Sequence, residues 1–170
     1  MRENFRGCLE KLLKHEGGFV NHPKDPGGMT NLGVTKRVYE EFVGRDVDIQ
    51  EMRELTPDDV GPIYRAMYWD RIKGDDLPSG VDWCVFDWAV NSGPGRAAKA
   101  LQTFIGVTAD GSIGPQTLQT LAAFDPAEVI DAMHATRQNF YESLETFETF
   151  GKGWTRRNNE TRDQAKELLL

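Results

Sequence analysis

Apolar residues recur at helical spacing along most of this chain. Phe5, Cys8, Leu9, Leu12 and Leu13 share one face of a helix over residues 5–15, which Gly17 and Gly18 bring to a stop. Residues 17–34 carry five Gly and two Pro, too many breakers for a helix, and read as an irregular loop or short β-hairpin. Thr35 then opens a helix with Tyr39, Phe42 and Val43 inward, closed by Gly44. Capping patterns mark further starts at Thr56-Pro57-Asp58-Asp59, Ser79-Gly80-Val81-Asp82 and Asp125-Pro126-Ala127-Glu128. The helix after Thr56 meets Gly61-Pro62, where it is expected to start late or kink. The helix after Ser79 turns Val81, Cys84, Val85, Trp88 and Ala89 inward and stops at Ser92-Gly93-Pro94-Gly95. Another runs from Arg96 to Ile105, and the Gly-rich turn from Asp110 to Pro115 leads into a short helix ending near Ala123. A long helix from Asp125 carries Val129, Ile130, Met133, Phe140, Tyr141 and Leu144, and the polar tail from Thr155 continues as helix. The loop around Gly74–Pro78 divides the chain into an N-terminal lobe over 1–75 and a closely packed C-terminal helical lobe over 76–170.

Composition narrows the function. With 170 residues the chain can build one well-cored domain, or a domain with a smaller second lobe. A net charge of −7 without a Lys/Arg stripe lacks the electrostatic footprint of nucleic-acid binding. The same acidity gives no help in approaching an anionic surface. The apolar runs are far too short to span a bilayer, so membrane insertion is not expected. The charged N-terminus shows no apolar signal segment, which predicts synthesis in the cytoplasm and another route to any external target. Cys8 and Cys84 fall in apolar helical patterns and read as buried free thiols, and no Cys/His spacing suits a metal.

Candidate chemistry concentrates near the N-terminus. Glu16 closes the first helix, facing the negative end of its dipole. There the charged form is disfavoured by roughly 0.3–1 kcal/mol, which suits a group that must hold a proton. A solvated helix-end carboxylate is the competing reading, and Phe19 nearby would add desolvation. Asp25 lies nine residues on, in Asp-Pro-Gly-Gly, which is also an ordinary turn. Two carboxyls ~6.5–9.5 Å apart are what inversion at a glycosidic bond requires, one as acid and one as base for water. Thr30 and Asn31 follow as short groups able to position a water or a sugar. Further along the chain, Trp69 and Trp88 either stack on sugars or belong to the core. Asn91 either binds an amide or caps its helix, and Asp87 either orients a site group or is solvated. Asp110 folds its own turn, and Trp154 anchors the tail.

The run His15-Glu16-Gly17-Gly18-Phe19-Val20-Asn21-His22-Pro23-Lys24-Asp25-Pro26-Gly27-Gly28-Met29-Thr30-Asn31-Leu32-Gly33-Val34-Thr35 resembles the signature of the glycoside hydrolase 108 family of N-acetylmuramidases. The pieces Phe86-Asp87-Trp88-Ala89-Val90-Asn91-Ser92-Gly93-Pro94, Asp110-Gly111-Ser112-Ile113-Gly114-Pro115 and Phe150-Gly151-Lys152-Gly153-Trp154 resemble the predicted peptidoglycan-binding domain that accompanies that family. The resemblance implies an all-α, lysozyme-like fold with a small α+β element: two helical lobes and a short hairpin beside the groove. It implies Glu16 as the catalytic acid. The Glu–Asp spacing and following Thr also resemble phage-type lysozymes, which implies Asp25 and Thr30 as the pair holding the attacking water.

Together these give the expectation of a monomeric peptidoglycan hydrolase cleaving the β-1,4 linkage from N-acetylmuramic acid to N-acetylglucosamine. Glu16, Asp25 and Thr30 would be catalytic, while Asn31, Trp69, Asp87 and Asn91 would contact substrate. No metal or organic cofactor is required. The partner would be the glycan strand in the wall, reached after release or non-classical export with a holin or another export partner. A lytic transglycosylase, which uses one acid and no water, and a non-catalytic wall-binding secretion helper are the alternatives.

Overall fold

The computed structural model describes residues 4–22 and 28–170. Its chain forms two compact units, one over 6–67 and one made of 68–170 together with residues 4 and 5.

The first unit begins on α1 (Asn4–Glu16), whose Cys8, Leu9, Leu12 and Leu13 are buried at the predicted spacing. Three short strands follow, β1 (Val20–Asn21), β2 (Met29–Asn31) and β3 (Val34–Thr35), in an antiparallel sheet of order β1-β2-β3. The register pairs Val20 with Thr30, and Asn31 with Val34 across a two-residue turn. Helix α2 (Lys36–Val43) is capped by the Thr35 hydroxyl, which accepts from the Val38 N–H at 3.3 Å, and closes at left-handed Gly44. Only Tyr39 of the expected inward face is buried. Phe42 is 50% exposed, on an open concavity that it lines with Ile63, Ala66 and Met67.

Asp48 caps α3 (Ile49–Arg53), accepting from the Glu51 N–H at 2.8 Å. Helix α4 (Pro57–Tyr64) starts where Thr56 predicts, with the Thr56 N–H donating to the Asp59 carboxylate at 2.7 Å. It does not start late: the helix runs through Gly61-Pro62 and then widens into a π turn over Arg65–Trp69. The core of this unit joins the apolar face of α1 to Val34, Tyr39, Met52, Val60 and Ile63.

The second unit is built around α5 (Val81–Ser92). Every residue from Val81 to Ala89 is buried, so the expected one-sided helix is in fact enclosed. It packs on α6 (Pro94–Ile105), α8 (Pro126–Glu142) and α9 (Phe147–Glu167), with α7 (Pro115–Leu121) against α6. A helix covered by three others has no solvent face to show a period. Ser79 does not cap α5. Gly80 occupies that position, and the Ser79 hydroxyl donates to the Leu168 carbonyl at 3.0 Å while accepting from Asn4. Asp125 caps α8 through the Ala127 N–H at 2.9 Å, and Asp110 folds its turn by accepting from the Ser112 N–H at 2.8 Å. Trp154 stacks on Tyr141 with ring centroids 5.2 Å apart, which fixes α9 to α8. Cys8 and Cys84 are buried free thiols.

Candidate active site

Glu16 is the last residue of α1 and is half-buried. Its side chain lies against the turn between β2 and β3. A Cβ placed on Gly33 would stand 2.9 Å from Glu16 Oε2, 3.1 Å from Glu16 Cβ and 2.3 Å from the Tyr64 hydroxyl. The carboxylate and the phenol are therefore neighbours across a residue that must lack a side chain.

The turn itself is strained. Leu32 has φ +49° and Gly33 φ +76°, the two consecutive left-handed residues of a type I′ hairpin turn. Leucine is a poor occupant of that region. The Tyr64 hydroxyl donates to the Leu32 carbonyl at 2.8 Å and holds it there. Backbone strain retained by a specific side chain, next to a carboxylate, is characteristic of functional sites.

Strands of two or three residues are marginal alone, so the sheet needs outside support. Asn31 supplies it. Its Nδ2 donates to the Met52 carbonyl at 2.8 Å and the Arg53 carbonyl at 3.3 Å, at the end of α3. The side chain is buried and spent on that bond, so the expected sugar contact gives way to a structural role. Alternation along β2 turns Thr30 to the opposite face from Asn31, half-exposed. Phe19, three residues after Glu16, lies beneath the Arg53 guanidinium, 5.1 Å from the ring centre. Asp25 lies outside the described residues.

Two further substrate expectations are corrected by burial. Trp69 is fully enclosed, edge-on to Phe5 and Phe86 with centroids 5.2 Å away in each case, and its Nε1 donates to Asp75 at 2.9 Å. Trp88 is likewise core. Asp87 is neither solvated nor open to a ligand. Its carboxylate is fully buried between Arg137 Nη1 at 2.7 Å and Arg157 Nη2 at 2.9 Å. Burial alone would raise its pKa, but the Arg137 and Arg157 charges and hydrogen bonds overcome that and hold it below the ordinary carboxylate value. Asn91 remains exposed, with Oδ1 accepting from the Tyr141 hydroxyl at 2.6 Å.

Tyr64 and Gly33 escape sequence reasoning for different reasons. Tyr64 reaches the site from another helix, with no local pattern tying it to Glu16. Gly33 is visible as a hairpin glycine, yet the need for an empty side-chain position comes from what packs against it. Among the described residues no group of His, Cys, Asp or Glu is arranged to hold a metal, and no helix is long and apolar enough to cross a membrane.

The chain matches the glycosyl hydrolase 108 family model over residues 9–93 and the predicted peptidoglycan domain model over 96–159. The solved structure of SagA from Brucella abortus is similar at 40% identity, with a TM-score of 0.83, covering 99% of this chain and 97% of that one. Among curated proteins none matches the chain. The first match takes in α1 from Leu9 onward with Glu16, the sheet and α2 to α5, and the second begins within α6. A mostly helical chain with one small antiparallel sheet, lysozyme-like in fold, thus belongs to the glycosyl hydrolase 108 family and is a glycoside hydrolase of peptidoglycan.

Proposed function

We propose that this protein hydrolyses the β-1,4 linkage between N-acetylmuramic acid and N-acetylglucosamine, with Glu16 as general acid. The observation that carries the reading is the seat of Glu16: a helix-end carboxylate set against a strained turn that Tyr64 pins, inside the segment matching the hydrolase family. Glu16 gives its proton to the bridging oxygen as the bond to the anomeric carbon breaks. Asp25 takes a proton from water as that water's oxygen bonds to the anomeric carbon, and Thr30 orients the water, so the configuration inverts. The reaction uses two carboxyls and needs no metal or organic cofactor. In this proposal residues 1–75 carry catalysis and 76–170 bind the wall, and the protein acts as a monomer on glycan strands at the wall, with a holin or other export partner serving its passage.

The test is digestion of purified sacculi followed by mass spectrometry of the soluble products. Reducing muramic ends are expected; anhydro ends would replace hydrolysis with single-acid transglycosylation. Glu16→Gln is expected to abolish lysis of permeabilised Gram-negative cells with the fold intact, and retained lysis removes Glu16 from the mechanism. Asp25→Asn is expected to be severe under hydrolysis and nearly silent under transglycosylation.

A further inference from the structure

A second concave site lies within the C-terminal unit. It has a volume of about 440 Å³ and is walled by Phe140, Tyr141, Leu144 and Trp154, with Asn91 and Arg96 at its polar side. The aromatic walls are held by one another: Tyr141 stacks on Trp154 and Phe140, and the Arg96 guanidinium sits 4.2 Å above the Phe140 ring.

The polar side is set by a chain of hydrogen bonds that starts in the core. Arg137, anchored on buried Asp87, donates from Nε to the Tyr141 oxygen at 2.8 Å. A guanidinium can only donate, so the Tyr141 proton points away from it, to Asn91 Oδ1 at 2.6 Å. Ser92 Oγ donates to the same oxygen at 2.8 Å. Both lone pairs of Asn91 Oδ1 are thereby engaged, and what Asn91 offers a ligand is its N–H₂ group. Beside it Arg96 offers further donors and a full positive charge. In a chain of net charge −7, this site is lined by one cation and no carboxylate. A surface of donors over aromatic walls selects an acceptor with an apolar flank.

We propose that this site binds a carboxylate group borne on a small apolar stem, with Arg96 and Asn91 as its donors and Trp154 against the stem. This rests on peptidoglycan being the substrate. In that polymer such a group occurs as a stem-peptide carboxylate and as the lactyl carboxylate of peptide-free muramic acid. The site then gives the enzyme a grip on its polymer separate from the bond it cleaves.

The experiment is a fluorescence titration of the full chain carrying Glu16→Gln, which prevents turnover. Trp69, Trp83 and Trp88 are buried, so a change in emission reports chiefly on half-buried Trp154. Two probes are used: the disaccharide-peptide monomer, and the peptide-free disaccharide with its lactyl carboxylate. A saturable change with the first alone assigns the stem-peptide carboxylate, with the second alone the lactyl carboxylate, and with both shows that the site accepts either. Arg96→Gln is expected to weaken binding about tenfold or more, as loss of a charge-assisted bond does. Asn91→Asp keeps the acceptor for Tyr141, replaces the donor by an anionic oxygen and is expected to weaken binding at least as much. No change with either probe, or variants that titrate like their parent, overturns the site. Digestion of sacculi by the unsubstituted protein tests the underlying reading separately: failure to release soluble fragments defeats the hydrolase assignment, whereas release without binding defeats only the second site.

Discussion

One methyl group at position 33 tests how Glu16 is held. In Gly33→Ala the new carbon would stand 2.3 Å from the Tyr64 hydroxyl and 2.9 Å from Glu16 Oε2, so something must move. At φ +76° the backbone also penalises any side chain, by roughly 1–2 kcal/mol. Moving Tyr64 aside breaks its bond to the Leu32 carbonyl, another ~0.5–1.5 kcal/mol. Together these are about 2–3 kcal/mol, which lowers the melting temperature by about 5–10 °C for a chain of this size. The effect on activity is larger in kind, because a displacement near 1 Å at a reacting group costs ~100-fold. Gly44→Ala separates the two effects: its φ is +73°, but nothing lies within 4 Å of the added carbon. It should lose stability alone and still clear permeabilised cells well below its melting temperature. Adding Tyr64→Phe to Gly33→Ala removes the closest contact and should recover part of the lost clearing rate. If Gly33→Ala lyses cells as fast as Gly44→Ala, the turn does not position Glu16 and the reasoning is refuted.

Two other outcomes follow from buried groups in the C-terminal unit. Asp87→Asn leaves Arg137 buried without its anion, a change that typically costs ~3–5 kcal/mol, measurable by urea unfolding. Because Asp87 is held below its ordinary value in the folded state, its contribution is present above the unfolded pKa of about 3.9 and is lost as pH falls through the folded value. Melting temperature should therefore drop in acid below about pH 4 for the parent chain, and more shallowly for Asp87→Asn; parallel curves would contradict this. Burial pushes the Cys84 thiol up to about 12, and Cys8 is also buried. A thiol reagent at pH 8 should label neither in the folded protein and both in denaturant, and rapid native labelling of Cys84 would show that the second core opens.

The parts of the fold legible from sequence are those whose cause is local. The α1 stripe, the Thr35 and Asp125 caps and the Asp110 turn all draw on residues a few positions apart, and all form as predicted. Misreadings share the opposite property. Asp87 reads as a solvated residue because its cations come from Arg137 and Arg157 on other helices, and Asn31 reads as a ligand because its partners end α3. Ser79 lost its capping role to a tertiary bond with the Leu168 carbonyl. Within the candidate site, Glu16 stands out by its odd place at a helix end, while Tyr64 carries no sign in its own neighbourhood.

The support given to the small sheet bears on how such enzymes can be recombined. Strands β1–β3 are fastened at Asn31 to the end of α3 and at Leu32 to Tyr64. A hairpin moved into a relative without those two anchors would arrive with its turn unsupported and its Glu16 seat unformed. The transferable cassette is therefore the whole stretch from α1 to the end of α4, and crossovers placed inside it should yield folded but silent chimeras.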